Sequence, residues 1–145
     1  MGRWFHDDRV ERTLAQRLDR SKERARQDML HRVRDNLDDI PGRVAMKLIE
    51  DELLETKSKR DVETQIKSCL ETLLDSDEFD ATYFMAPYRE VVTSPNMVSL
   101  YLTTFVIDKL IDHPSVVDVF GSDEDIYEAI NATIQPFLVR KRRDR

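Results

Sequence analysis

A chain of 145 residues with one cysteine, three glycines and five prolines has room for one modest core, but not for an intramolecular disulfide or a turn-rich β sandwich. At 40% hydrophobic and 36% charged residues it is too apolar for full disorder, and a pI near 5.1 with net charge −6 argues against a basic nucleic-acid-binding domain. The charge is segregated. Residues 1–39 carry ten Lys and Arg against nine Asp and Glu, residues 40–139 eight against nineteen, and residues 140–145 five against one. The predicted organisation is therefore a charged N-terminal helical arm (1–39), an acidic helical body (40–139) and a basic tail (140–145).

The first helix is predicted from Asp7 or Asp8 to about Leu37. Its apolar positions Val10, Leu14, Leu18, Ala25, Met29, Val33 and Leu37 are mostly four apart, a narrow stripe between Arg and Asp/Glu. Pairs such as Asp8–Arg12 and Asp28–Arg32 have the order that supports a solvated helix. So thin a stripe suits docking along one edge or onto another chain. Trp4-Phe5 ahead of it reads as a staple on that helix, the alternative being a partner or membrane anchor.

Ile40-Pro41-Gly42 is predicted to stop this helix. A second helix follows over Arg43 to Glu55, with Val44, Leu48, Ile49 and Leu53 inward. After the short basic connection 57–60, Ser58 and Asp61 have capping-box spacing. The third helix turns Val62, Ile66, Cys69, Leu70 and Leu73 inward. Asp75 to Glu78 breaks the pattern, and 79–93 is aromatic, with Pro87 forbidding a regular helix interior. Ser94-Pro95 reads as N-cap and first residue of a helix to about Asp112. That helix is apolar nearly all round and so central to the fold. His113-Pro114 ends it. A short segment, Val116 to Phe120, leads to a last helix capped by Ser122 and Asp125, with Ile126, Tyr127, Ile130, Ile134, Phe137 and Leu138 inward and Pro136 kinking it or ending its regular part early. The expected fold is a single all-α domain of five or six helices with a long charged N-terminal one.

Three stretches carry a family likeness: Val44 to Glu55 continuing through Leu73-Leu74, Val106 to His113 followed by Val116-Val-Asp-Val-Phe, and Ile130 to Leu138 with Pro136 before Phe137-Leu138. Over about residues 43–141 they resemble a small bacterial all-helical family of unknown function. In that family a V-x-x-V-F turn follows a Leu/Ile-rich helix, and I-x-P-I-L closes the last helix. The resemblance implies a bacterial helical protein. It brings no activity, and no functional residues carry over.

The chemistry-bearing residues point the same way. His6, His31 and His113 lack metal-ligand spacing, and Cys69 sits on an apolar face next to Leu70, where a buried inert thiol is expected. Asp75, Asp77 and Asp80 approach a calcium loop but lack its Gly and terminal Glu, and Asp123-Glu124-Asp125 suits the first turn of a helix. There is no phosphate loop and no nucleophile elbow. The sequence thus leads to a non-enzymatic interaction protein, an adaptor or assembly subunit, without cofactor or metal. It would bind a protein partner, or itself, through Val10, Leu14, Leu18, Met29, Val33 and Leu37. The alternative is a nucleic-acid-associated factor using the arginine-rich arm and the tail, where Arg140, Lys141, Arg142 and Arg143 could touch phosphates or anionic lipid; the simpler role for that tail is to sit on the helix dipole or on the acidic body. A single cysteine implies a reducing compartment. No apolar run follows Met1 to Asp8, and Met97 to Ile111 is too short and polar to cross a bilayer, so a cytoplasmic protein without a membrane span is expected.

Overall fold

The computed structural model describes residues 20–139. The chain is all-α, with six α-helices among the described residues and one small two-stranded ribbon. It divides into two units, at Arg32/Val33. Helix α1 covers 20–35, the described part of the arm, and is mostly exposed up to Asp28. The second unit begins at Val33, whereas the sequence divides arm from body after residue 39. Val33 is fully buried, so the last turn of α1 belongs to the core that follows.

Helix α2 spans Ile40–Glu50, with Pro41 in its first turn. The interruption expected at Ile40-Pro41-Gly42 is thus the start of the next helix. A first-turn proline has no intrahelical N–H bond to lose, and its ring is buried with Ile40. Expected to reach Glu55, α2 stops sooner. Glu52 takes φ 59°, Leu53 N–H bonds Leu48 C=O at 2.9 Å and Glu52 N–H bonds Ile49 C=O at 3.1 Å, a Schellman closure.

That turn frees Leu54–Thr56 as strand β1, which pairs antiparallel with β2, Val116–Val119. Leu54 faces Val119, Glu55 faces Asp118 and Thr56 faces Val116, with an irregularity between Glu55 and Thr56. Phe120 N–H to Leu53 C=O (2.8 Å) and Lys57 N–H to Ser115 C=O (2.7 Å) close the two ends of the ribbon.

Helix α3, Lys59–Asp75, starts where Ser58 Oγ accepts the Asp61 N–H, and it buries Val62, Ile66, Cys69, Leu70 and Leu73 as the periodicity predicts. Helix α4 is Glu78–Met85, followed by a 3₁₀ turn over Ala86–Tyr88 that holds Pro87. Helix α5, Met97–Asp108, is the central element and packs against α3, α4 and α6. Its cap is Asn96, not Ser94: Asn96 Oδ1 accepts from the N–H groups of Val98 and Ser99, while Ser94 lies in the left-handed region at φ 53°. Ser99, Thr103 and Thr104 are buried within α5 without penalty. The two threonine hydroxyls donate to carbonyls four residues back, and Ser99 Oγ donates to Asn131 Oδ1 of α6 at 2.8 Å.

A 3₁₀ turn, Leu110–Asp112, follows α5 and leads by way of β2 into α6, Asp123–Leu138. The predicted capping box is complete: Asp125 N–H donates to Ser122 Oγ at 3.1 Å, and Ser122 N–H to Asp125 Oδ2 at 3.2 Å. Pro136 does not end α6 early. The carbonyl it deprives of a partner is that of Ala132, an exposed position where water can replace the bond. Helix α2 closes the core from the side by packing on α6 and α3.

Candidate interaction surface

Of the stripe read as partner-binding, Val10, Leu14 and Leu18 lie outside the described residues. Met29 and Leu37 are half-buried, and Val33 has no exposed surface. Val33 is therefore a core residue, not part of a docking face; the fold has already covered it. Leu30, off the stripe, is also buried. Arg140, Lys141, Arg142 and Arg143 lie outside the described residues.

Among the described residues the most exposed large apolar side chains are on α4, in the aromatic segment that the sequence assigns to no regular element; Met46, Val117, Phe120 and Val139 are open to a lesser degree elsewhere. Asp77 caps this helix by accepting the Asp80 N–H at 2.7 Å, and it places Glu78 and Asp80 in the first turn, where carboxylates favour the helix dipole. One side of α4 is anchored. Ala81 and Met85 are buried, and the Phe84 ring lies 4.7 Å from that of Tyr101 on α5. The other side carries Phe79 and Tyr83, 76% and 77% exposed, one turn apart and stacked with ring planes 17° from parallel. Two large rings held in water on a helix whose back is fixed in the core form a rigid protrusion.

Beside it runs a shallow groove lined by Tyr83, Phe84, Pro87, Arg89, Asp108 and Lys109. Its lining joins the two aromatic rings of Tyr83 and Phe84 to the charged Arg89, Asp108 and Lys109. Tyr88 OH donates to Asp108 Oδ1 at 2.7 Å; that bond, then partial burial and the carboxylate charges of Asp108 and Asp123, pushes the phenol up to about 12. Arg89 folds back to donate to the Ala86 carbonyl at 2.8 Å, which holds its guanidinium at the end of the 3₁₀ turn. A signal for this surface was present in the sequence. Asp77 and Asp80 have N-cap spacing, and Phe79/Tyr83 and Ala81/Met85 are two four-residue repeats on different sides of one helix.

Cys69, His113, Asp77 and Asp125 have structural roles, while His6 and the Trp4-Phe5 pair lie outside the described residues. Cys69 is buried, and burial pushes its thiol well above its ordinary value, away from the reactive thiolate. His113 Nδ1 accepts the Ser115 N–H at 3.1 Å and lies 2.8 Å from Ser115 Oγ, shaping the turn into β2. Asp77 and Asp125 serve as helix caps. Among the described residues no group of three or more His, Cys, Asp or Glu is placed to hold a metal ion, and no helix is long and apolar enough to cross a membrane. No protein-family model, curated protein or solved structure matches this chain, so the resemblance over residues 43–141 stands on its sequence pattern alone.

Proposed function

We propose that this protein is a non-enzymatic helical interaction protein, an adaptor or assembly subunit that docks through the outer face of α4. The observation that carries this reading is the exposed, stacked Phe79–Tyr83 pair on a helix anchored by Ala81, Phe84 and Met85. Covering two such rings contributes roughly 1.5–3 kcal/mol each. Association costs at least about 4 kcal/mol, so the rings need the neighbouring groove and charges to form a specific complex. The stripe residues Val10, Leu14 and Leu18 are proposed as a second contact, on their helical spacing alone.

The test uses the full chain as bait beside two variants, Phe79→Ser/Tyr83→Ser and Leu14→Asp/Leu18→Asp. The first should lose partners that the wild type retains, with an unchanged urea midpoint, because both rings already face water. Retention of every partner by that variant would remove the reading. A partner lost only with Leu14→Asp/Leu18→Asp would move the docking face to the N-terminal helix.

A further inference from the structure

The α4 surface is complementary to itself, and we infer that its occupant is a second copy of this chain, docked with the two α4 helices antiparallel. This rests on the reading of α4 as a docking face and names what covers it. Tyr83 belongs to both the protrusion and the groove, and Phe79 stands at the other end of the helix. Phe79 is in the first turn of α4, beside the carboxylates of Glu78 and Asp80, while the groove runs from Tyr83 and Phe84 in the last turn to Pro87, Arg89 and Lys109. An eight-residue helix is about 12 Å long, so Phe79 and the groove lie within one short helix length.

A two-fold axis across the middle of α4 brings Phe79 of each copy to the other's groove. The same operation sets Glu78 and Asp80 against the second copy's Arg89 and Lys109. Each contact is made twice, as an isologous interface requires. A parallel arrangement would oppose carboxylate to carboxylate and leave both grooves empty. Among the described residues Asp108 is the one carboxylate lining the groove, and it accepts a hydrogen bond from the Tyr88 hydroxyl. Of the neighbouring acids, Glu90 lies with Glu124 and Glu128 on the adjoining surface, which Arg89 also lines, so Lys109 is the groove's cation away from those glutamates.

The size of the patch sets the strength. A phenyl or phenol side chain offers about 150–250 Å². Two rings, each about three-quarters exposed, then provide roughly 300 Å² per copy, and flanking residues bring the total near the lower limit of about 1,000–1,200 Å² for a specific interface. A reversible dimer with a dissociation constant of about 10–100 µM is expected.

Sedimentation of the full chain from about 5 to about 500 µM brackets that constant. The wild type should pass from monomer to dimer, and less readily at high salt. Phe79→Ala/Tyr83→Ala should weaken the dimer about tenfold or more without shifting the urea midpoint. The decisive variants are Glu78→Lys/Asp80→Lys, which makes both ends of the surface basic, and Arg89→Glu/Lys109→Glu, which makes both acidic. Neither should pair with itself, yet mixed together they should form a heterodimer. A wild type that stays monomeric throughout overturns the inference. So does a dimer indifferent to Phe79→Ala/Tyr83→Ala, or one lost only with Leu14→Asp/Leu18→Asp, or a failure of the two charge-reversed variants to pair. A monomer that still captures another protein through Phe79 and Tyr83 would sink the second copy while leaving the docking face in place. A monomer that captures nothing sinks both.

Discussion

At the scale of single residues, two positive-φ positions make opposite predictions. Gly121 has φ 86°, and a Cβ there would lie 2.6 Å from Leu53 Cδ2, so Gly121→Ala combines backbone strain with a clash and should destabilise by about 1–3 kcal/mol. Glu52 holds the same left-handed region at φ 59° to close α2, but with a side chain. Glu52→Gly should relieve that strain and stabilise by about 0.5–1 kcal/mol. Urea midpoints at constant slope check both; equal signs for the two would show that backbone strain is not what separates them. Tyr88 gives a pH prediction. Its phenol is raised from 10.0 to about 12 in the folded chain, so between those values the native state holds a proton that the unfolded state has released. The stabilising effect of the Tyr88–Asp108 bond is thus full below the unfolded value and is lost as pH rises through the folded one. Tyr88→Phe should be less stable than wild type at neutral pH, with the gap narrowing from about pH 10 towards 12. A gap that widened with pH would reverse the assignment.

At the scale of elements, the ribbon and α5 behave differently. Glu55 and Asp118 face one another across β1 and β2, both exposed, and like charges directly opposite are unfavourable. Asp118 is engaged by the Val119 N–H at 2.8 Å, so the informative change is Glu55→Lys. It should stabilise by about 0.2–1 kcal/mol, an effect that fades with added salt. In α5, Leu102 is fully buried among three neighbouring helices, and Leu102→Ala should cost about 2–5 kcal/mol. Leu37, half-buried in the turn after α1, should cost clearly less as Leu37→Ala. Equal denaturation midpoints for the two variants would mean that α5 is not the centre of the core.

Over the whole molecule, the excess of acids in residues 40–139 outweighs the local ion pairs. Lys47–Asp51 at 3.1 Å, Lys59–Glu63 at 3.0 Å and Lys67–Asp38 at 3.1 Å are all partly solvated and contribute little each. Nineteen Asp and Glu against eight Lys and Arg repel one another across the same surface. Raising sodium chloride from a few millimolar to about 0.5 M, where the screening length falls below about 5 Å, should therefore raise the urea midpoint, by up to about 1 kcal/mol in stability. A falling midpoint would mean that the ion pairs dominate. The same salt loosens the proposed dimer, so fold and association should respond to it with opposite signs.

What could be read from the sequence was what neighbouring residues decide among themselves. Ser58 with Asp61 and Ser122 with Asp125 start α3 and α6, because a cap needs only a hydroxyl and an N–H three residues on. The apolar residues spread nearly all round α5 mark a helix enclosed by others wherever those others lie. Contacts between distant parts of the chain decided the rest. Leu54 finds Val119 only because α3, α4 and α5 bring the two strands back together, and three or four residues carry no pattern that announces such a ribbon. Pro41 stands in the first turn of a helix, where no N–H bond is lost, and distant residues enclose its ring. Val33 and Phe79 illustrate the limit best. Each is an apolar residue on a helix, yet one is fully enclosed and the other 76% open to water. Helical period tells which side chains share a face, while the surface that meets that face is supplied by residues far away in the chain, and only the tertiary structure decides whether it arrives.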